Sequence, residues 1–210
     1  MKNRSPNPFL ASISTTLIIP VSLKFIANWP EKMIGYSVDP MDVASLRELF
    51  DYNTWAHLRV WNCAKTLPEA QFRQVLNYSV GSIYEQIFHT LSIERYWMTA
   101  VRDKAQPDGD SFPSSDDYPT GASLGNLYDE TSAFLNTILA DLSDADLGEM
   151  VAYRHPSGLS FQNTCGQLAI QVYSHSIDHR AQTLAMLHQF GAPTIGQDFL
   201  RYLMDIQTQA

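Results

Sequence analysis

The chain has 210 residues, of which 45% are hydrophobic and 17% charged, and its formal net charge is −8. This length and hydrophobic share suit one domain with a substantial core and exclude intrinsic disorder as the main description. The acidic balance argues against nucleic-acid binding, which needs a basic face, and no long uncharged apolar run predicts a membrane span. Two cysteines are too few for a disulfide framework and favour a reducing, cytoplasmic location.

Residues 1–40 differ in kind from the rest of the chain. They carry a local charge of +2, which leaves −10 for residues 41–210, and prolines interrupt them without any sustained helical period. Three interpretations stay open: a secretory signal, an organelle-targeting segment, or a poorly ordered extension upstream of a start at Met33 or Met41. The extension is favoured, because regular patterning begins at position 41. An exported or organelle-targeted protein is the alternative if residues 1–27 form a real targeting segment.

The pattern after position 41 predicts two long helices. Asp42 suits an N-cap, and apolar residues recur after it at spacings of three and four, which predicts a first helix over about 43–66. Pro68 ends this helix, because the residue before a proline avoids helical backbone angles. After a connector, a second helix is predicted from about Ser82 to Arg102, with His89 close to its apolar stripe.

A long loop separates the second and third predicted helices. Residues 104–121 are rich in proline, glycine and aspartate, and a loop of this length is typical of a functional segment or a crossover. Ser123 is the predicted cap of the third helix, which covers about 124–142.

The last third of the chain predicts a small hairpin and a fourth long helix. Short strands at 149–153 and 159–161 flank a histidine-proline-serine-glycine turn. Asn163 or Thr164 caps a helix that runs to about Phe190, and a short helix follows at about 197–206. The whole pattern predicts an all-α fold: a four-helix bundle over residues 41–210, with a long loop between helices 2 and 3 and a small β-hairpin before helix 4.

The predicted fourth helix carries a pair of histidines that could bind a metal ion. His175 and His179 are four residues apart, so their imidazoles lie one turn above each other on one face. Such a pair can bind one ion from two sides, but two ligands bind weakly. His89 is the best candidate for a third ligand from another helix. The alternative is that these are surface histidines or hydrogen-bonded core histidines.

The surroundings of the pair favour the metal interpretation. Residues 165–190 carry almost no charge outside positions 178–180, and a helix that is apolar on most sides lies deep in a bundle. Buried imidazoles need polar partners, which a metal ion would supply. Bundle cores are also where facing helices build metal sites.

The order of several short motifs resembles the DinB-like (DinB/YfiT) family of four-helix bundles. The matching elements are Tyr52-Asn53-Thr54-Trp55-Ala56; Gly81-Ser82-Ile83 followed by His89, Glu94 and Trp97; His175-x-x-x-His179-Arg180-Ala181-Gln182; and Gly191-Ala192-Pro193 before Asp198. The resemblance covers about residues 41–206. One departure is His57, where relatives often have asparagine, and residues 1–40 have no counterpart.

The resemblance implies one divalent metal ion held by His89, His175 and His179, with an open coordination position. The ligand set suits zinc or nickel first, and also iron, cobalt or manganese. The implied functions are a metal-dependent hydrolase, or a transferase that uses a low-molecular-weight thiol as co-substrate. Both would act on a small molecule, and the resemblance also implies a homodimer. The alternative is a non-catalytic stress-response protein that binds metal.

Two acidic residues are candidates for a supporting role near this site. Glu85 precedes His89 by one turn and could serve as general base or orient the imidazole; otherwise it is a solvated helix residue. Asp178 could orient His175, or it could form an ordinary ion pair with Arg180. Whether the protein is an enzyme stays open from the sequence.

Overall fold

The computed structural model describes residues 41–108, 112–155 and 158–208, and these ranges are mostly helical. The extension predicted for residues 1–40 lies outside them. The helices are α1 (Val43–Ala64), α2 (Glu69–Phe72), α3 (Ile83–Asp103), α4 (Gly121–Asp141), α5 (Asp144–Leu147), α6 (Cys165–Gln189) and α7 (Phe199–Gln207), and the strands are β1 (Met150–Arg154) and β2 (Ser160–Thr164). The predicted all-α bundle with a small hairpin is confirmed. None of the described helices is long and apolar enough to cross a membrane.

Each long helix begins at a side-chain cap. Asp42, Ser82, Thr120 and Thr164 each accept a hydrogen bond from the backbone N–H three residues later. The predicted cap Ser123 is wrong, because α4 begins at Gly121 after Thr120. Ser123 instead occupies the third helical position and accepts from the Thr120 N–H, which makes a reciprocal capping box.

The connections contain more regular structure than predicted. The connector after Pro68 holds the single-turn α2, and the long loop holds a short 3₁₀ turn at Ser115–Asp117. The hairpin is present, but β2 starts and ends later than predicted. It pairs antiparallel with β1, with Met150 opposite Thr164 and Arg154 opposite Ser160.

The long loop is a crossover that returns the chain to the other end of the bundle. One apolar cluster joins the first half of α1 and of α6 to the second half of α3 and of α4. A second cluster joins the opposite halves of the same four helices. Helices α1 and α6 therefore run in one direction, and α3 and α4 in the other. Two parallel neighbours in sequence need a long connection, as in bundles with a crossover.

Polar residues are concentrated between the two apolar clusters. Helices α3 and α6 pack together more extensively than any other pair of long helices. Near the middle of this contact the buried residues are polar or charged: Gln86, His89, Glu94, Ser176, His179 and Arg180. A polar layer inside a core is costly unless its members find partners. Two of the predicted metal ligands, His89 and His179, belong to this layer, so it is the candidate location of a metal site.

Candidate metal centre

The described structure brings the three predicted histidines together. Helices α3 and α6 run antiparallel, so His89 faces the turn of α6 that carries His175 and His179. One ring nitrogen of each residue lies within 4.8 Å of those of the other two. Ring centroids are 4.2 Å apart between His175 and His179, and 4.7 Å apart between His89 and His179. We call these three residues the histidine cluster.

Burial keeps the cluster in the protonation state that metal binding needs. Burial and the neighbouring imidazole His179 lower the pKa of His89 to about 4. Burial and the other two imidazoles lower the pKa of His175 to about 3. Burial also lowers the pKa of His179, against the opposing charge of Asp178. All three rings are therefore neutral near pH 7 and carry the free lone pair that a metal ligand requires.

The cluster also fits a metal ion because its polar atoms are incompletely paired. His175 Nδ1 is buried and has no hydrogen-bond partner among the described residues. An orphaned buried nitrogen costs free energy, and a bound cation between three imidazoles is one way to recover it. An ion shared by the three rings would be held by nitrogen ligands at about 2.0–2.1 Å.

A glutamine that the sequence analysis did not single out contacts one of the three rings. Gln86 is fully buried on α3, and its amide nitrogen lies at hydrogen-bond distance from His179 Nδ1. The same amide group donates to Gln182 Oε1 over 3.1 Å. Its own carbonyl oxygen, Oε1, is buried without a partner. The signal available in the sequence was an uncharged polar residue three positions before His89, on the same helix face.

The two acidic candidates lie outside the histidine cluster. Glu85 is exposed in the first turn of α3. Asp178 is exposed on α6 and accepts a hydrogen bond from Gln182 over 2.9 Å. The predicted ion pair between Asp178 and Arg180 does not form, because the Arg180 guanidinium turns into the core and donates to Asn53 and Gln197.

A second buried polar cluster lies between α1, α3 and α6. The Glu94 carboxylate is its centre and is 1% exposed. Its Oε1 atom accepts from Asn53 Nδ2 and from His57 Nε2, each over 2.8 Å, and from the Ser176 hydroxyl. Arg180 donates to the same Asn53. We call these five residues the Glu94 cluster. His57, which departs from the family pattern, is thus a partner of Glu94.

The charges in the Glu94 cluster are arranged to keep the carboxylate ionised. Burial alone would raise the pKa of Glu94. The charge interaction with His57 and the hydrogen bonds from His57, Ser176 and Asn53 outweigh burial and hold the pKa at about 2. Burial lowers the pKa of His57, and the Arg180 charge lowers it further against the attraction of Glu94. The arrangement is therefore an anionic Glu94 that accepts a hydrogen bond from His57, with cationic Arg180 close by.

A small cavity adjoins the Glu94 cluster. It is lined by polar and apolar side chains: His57, Val60, Trp61, Ile87, Thr90, Tyr128, Arg180 and Thr183. Its free volume of about 20 Å³ has room for one water molecule. The Nη2 atom of Arg180 is buried without a protein partner. A molecule as small as water suits this cavity better than a substrate does.

Comparisons with known proteins identify the family and agree with the fold. The model of the DinB family matches residues 41–209. The protein DinB of Bacillus subtilis strain 168 is 24% identical over 166 residues, which cover 77% of this chain and 95% of that protein. A crystal structure of a DinB-like protein from Bacillus cereus ATCC 10987 superposes with a TM-score of 0.56 at 13% identity, covering 74% of this chain and 97% of that one. The chain belongs to the DinB family.

Proposed function

We propose that the protein binds one divalent metal ion through His89, His175 and His179. The observation that carries this proposal is that three neutral imidazoles, two buried and one half-buried, place ring nitrogens within 4.8 Å of one another, one of the rings having an orphaned nitrogen. Three histidines from two helices that are packed firmly together form a rigid ligand set. Three uncharged ligands also leave the ion its full double charge, and a fourth position stays open.

Zinc or nickel is the proposed ion, with iron, cobalt or manganese as alternatives that would add water ligands. When bound, such an ion acts as a Lewis acid on a small ligand at the open position. The chain's own contribution is to hold the imidazoles, keep them unprotonated and exclude competing carboxylate ligands from the cluster. Glu85 is the proposed proton acceptor or orienting residue, one turn from His89 on the same helix.

The proposed activity is hydrolysis of a small molecule, or transfer to it of a low-molecular-weight thiol. Both reactions use an ion with one open position and a nucleophile that loses a proton near neutral pH. We propose that the protein acts in the cytoplasm as a homodimer. The net charge of −8 supports a small-molecule substrate over a nucleic acid.

A non-catalytic metal-binding protein is the second candidate function. Glu85, the proposed base, is exposed, and the metal-ligating groups that converge in the described structure are three histidines without a carboxylate. An ion with no reliable base beside it can still be bound, carried or sensed. This observation supports the second candidate, a non-catalytic stress-response protein that binds metal.

Metal analysis of the purified full chain tests the shared part of both candidates. We expect about one ion per chain in the unmodified protein, and a large loss in His89→Ala, His175→Ala and His179→Ala. His188→Ala is a matched control, because His188 is an exposed histidine near the end of the same helix α6. Full metal content in all three cluster variants would refute the site.

A substrate screen separates the two candidates. Ester, amide and thiol-conjugate substrates are offered to protein loaded with zinc, nickel or manganese. Turnover that disappears in the three histidine variants supports the enzyme. Turnover lowered about tenfold or more in Glu85→Gln, with unchanged metal content, would support a proton-transfer role for Glu85. No turnover in any metal form supports the non-catalytic candidate.

A further inference from the structure

Gln86 contacts His179 at Nδ1, one of the two ring nitrogens that could bind an ion. The Gln86 amide lies at hydrogen-bond distance from His179 Nδ1. An amide that occupies this position leaves no room there for a metal ion. If His179 is a ligand, as the proposed function requires, it must therefore bind through Nε2.

Ligation through Nε2 fixes where the ring proton is. A neutral imidazole carries one proton, and the nitrogen that binds a metal must be the one without it. His179 must therefore carry its proton on Nδ1 and donate it to an acceptor. The nearest group is the Gln86 amide, whose oxygen is buried and unpaired in the described arrangement.

With its amide nitrogen toward Nδ1, Gln86 would pair with the opposite tautomer of His179. The amide nitrogen of Gln86 faces Nδ1 and also donates to Gln182 Oε1. A donor at this position requires a lone pair on Nδ1, which places the ring proton on Nε2. In this form His179 cannot use Nε2 as a ligand. A half-turn of the Gln86 amide places its oxygen, an acceptor, at His179 Nδ1. The ring proton is then favoured on Nδ1, which leaves the lone pair of His179 on Nε2.

We propose that Gln86 is a positioning residue whose amide orientation selects the metal-binding tautomer of His179. On metal binding the proton leaves Nε2 and one is taken up at Nδ1, so the ring stays neutral and the proton count is unchanged. The Gln86 oxygen then accepts from Nδ1–H. Gln182 can follow by turning its own amide, since its other partners, Ser79 and Asp178, are exposed and can exchange their bonds for water.

Hydrogen bonds of this kind orient ligand histidines and raise their basicity, and their loss typically weakens metal binding by about 10–100-fold. Two substitutions of Gln86 separate the effect of a hydrogen-bond acceptor at this position from the effect of a donor. Gln86→Leu fills the space without either function. Gln86→Glu supplies an oxygen acceptor in every orientation and cannot donate when ionised. The inference rests on the proposed metal site, so metal affinity is its natural measure.

The experiment measures zinc affinity of the full chain by competition with a chelating dye. We expect Gln86→Leu to weaken binding about 10–100-fold and Gln86→Glu to stay within about threefold of the unmodified protein or to bind more tightly. Thr90→Val is the matched control, because Thr90 is buried one turn along α3 and its hydroxyl bonds only to the Gln86 backbone carbonyl. Its affinity should stay within about threefold.

The outcomes distinguish this inference from the proposed function. An unmodified protein that binds no zinc refutes the metal site itself. An unmodified protein that binds zinc, with Gln86→Leu binding equally well, overturns only the role of Gln86. A Gln86→Glu variant that binds zinc as weakly as Gln86→Leu also overturns only the role of Gln86.

A second measurement needs no variant and therefore does not depend on variant folding. Ring-nitrogen NMR shifts of His179 in the unmodified protein should move the proton from Nε2 to Nδ1 when zinc is added. A proton that stays on Nε2 in the zinc form overturns the proposal.

Discussion

The histidine cluster lies on α3 and α6, and the Glu94 cluster joins the same two helices to α1, yet the hydrogen bonding of the two clusters differs. In the Glu94 cluster, one carboxylate oxygen accepts from three side chains, and a guanidinium ion lies nearby. In the histidine cluster, no hydrogen bond joins the three rings, and His175 Nδ1 has no hydrogen-bond partner within the part of the chain that the structure describes.

This difference separates a structural role from a binding role. A buried charge on one helix whose partners come from two others fixes how the three helices pack, and removing it leaves other charges unpaired. Buried neutral bases without partners add little to packing and leave a ligand to be supplied from outside. We therefore expect Glu94 to matter for folding with or without metal, and the histidines to matter mainly with metal.

The largest expected effect is the loss of Glu94. Glu94→Ala should lower the free energy of unfolding by about 3–5 kcal/mol, because it leaves Arg180 and its partners in the core without the carboxylate. Urea denaturation of the metal-free protein measures it. Glu48→Ala, an exposed carboxylate on α1, should change the same quantity by less than about 0.5 kcal/mol. Equal effects for the two variants would contradict a structural role for Glu94.

Zinc should add stability only through the histidine cluster. At a free concentration 100 times its Kd, a bound ion raises the free energy of unfolding by about 2.7 kcal/mol. Thermal denaturation with and without zinc measures this as a rise in Tm. The rise should vanish in His175→Ala. A rise that persists in that variant would mean that zinc binds elsewhere.

The two clusters should lose stability in different pH ranges. The folded pKa values of His89 and His175, about 4 and about 3, lie below the ordinary 6.5. The unfolded chain therefore takes up protons first as the pH falls, and stability drops by about 2 kcal/mol per histidine between pH 7 and pH 5. The Glu94 contribution is present above about pH 4.5 and is lost as the pH falls through about 2.

Denaturation curves from pH 7 to pH 3 check this order. Substituting His89 and His175 together should reduce the drop between pH 7 and pH 5 to the part that comes from His57 and His179, whose pKa values burial also lowers. The acid loss below pH 4.5 should remain. A drop between pH 7 and pH 5 that is unchanged in this double variant would show that other groups cause it.

The smallest expected effect is that of His175→Ala in the presence of a chelator. The lost packing of the ring is offset by the removal of an unpaired buried nitrogen, so the free energy of unfolding should change by less than about 1 kcal/mol. Urea denaturation in excess chelator measures it. A loss as large as that of Glu94→Ala would mean that the histidine cluster is as structural as the Glu94 cluster.

Local patterns in the sequence predicted the helices well, because each signal needs only neighbouring residues. Asp42, Ser82 and Thr164 act through the next turn of their own helices, and the pair His175 and His179 shares one face by spacing alone. The error at Ser123 has the same local origin: two hydroxyl residues three apart are both plausible caps, and only the structure shows that Thr120 has the N-cap position.

The partners of the site could not be predicted, because they lie far apart in the chain. Gln86 meets His179 across 93 residues, and His57 meets Glu94 across 37. Which side chains face each other there depends on the rotation of α1, α3 and α6 about their axes. The available signal was the presence of polar residues within otherwise apolar helix faces, which marks buried groups in need of partners.

The most direct test of the account is a structure of the full chain with zinc, with the ion located by its anomalous scattering. The account predicts one ion with ring nitrogens of His89, His175 and His179 at about 2.0–2.1 Å, His179 bound through Nε2, and Glu94 still bonded to His57, Asn53 and Ser176. An ion bound at the Glu94 cluster, or a folded protein whose three imidazoles hold no ion at saturating zinc, would contradict it.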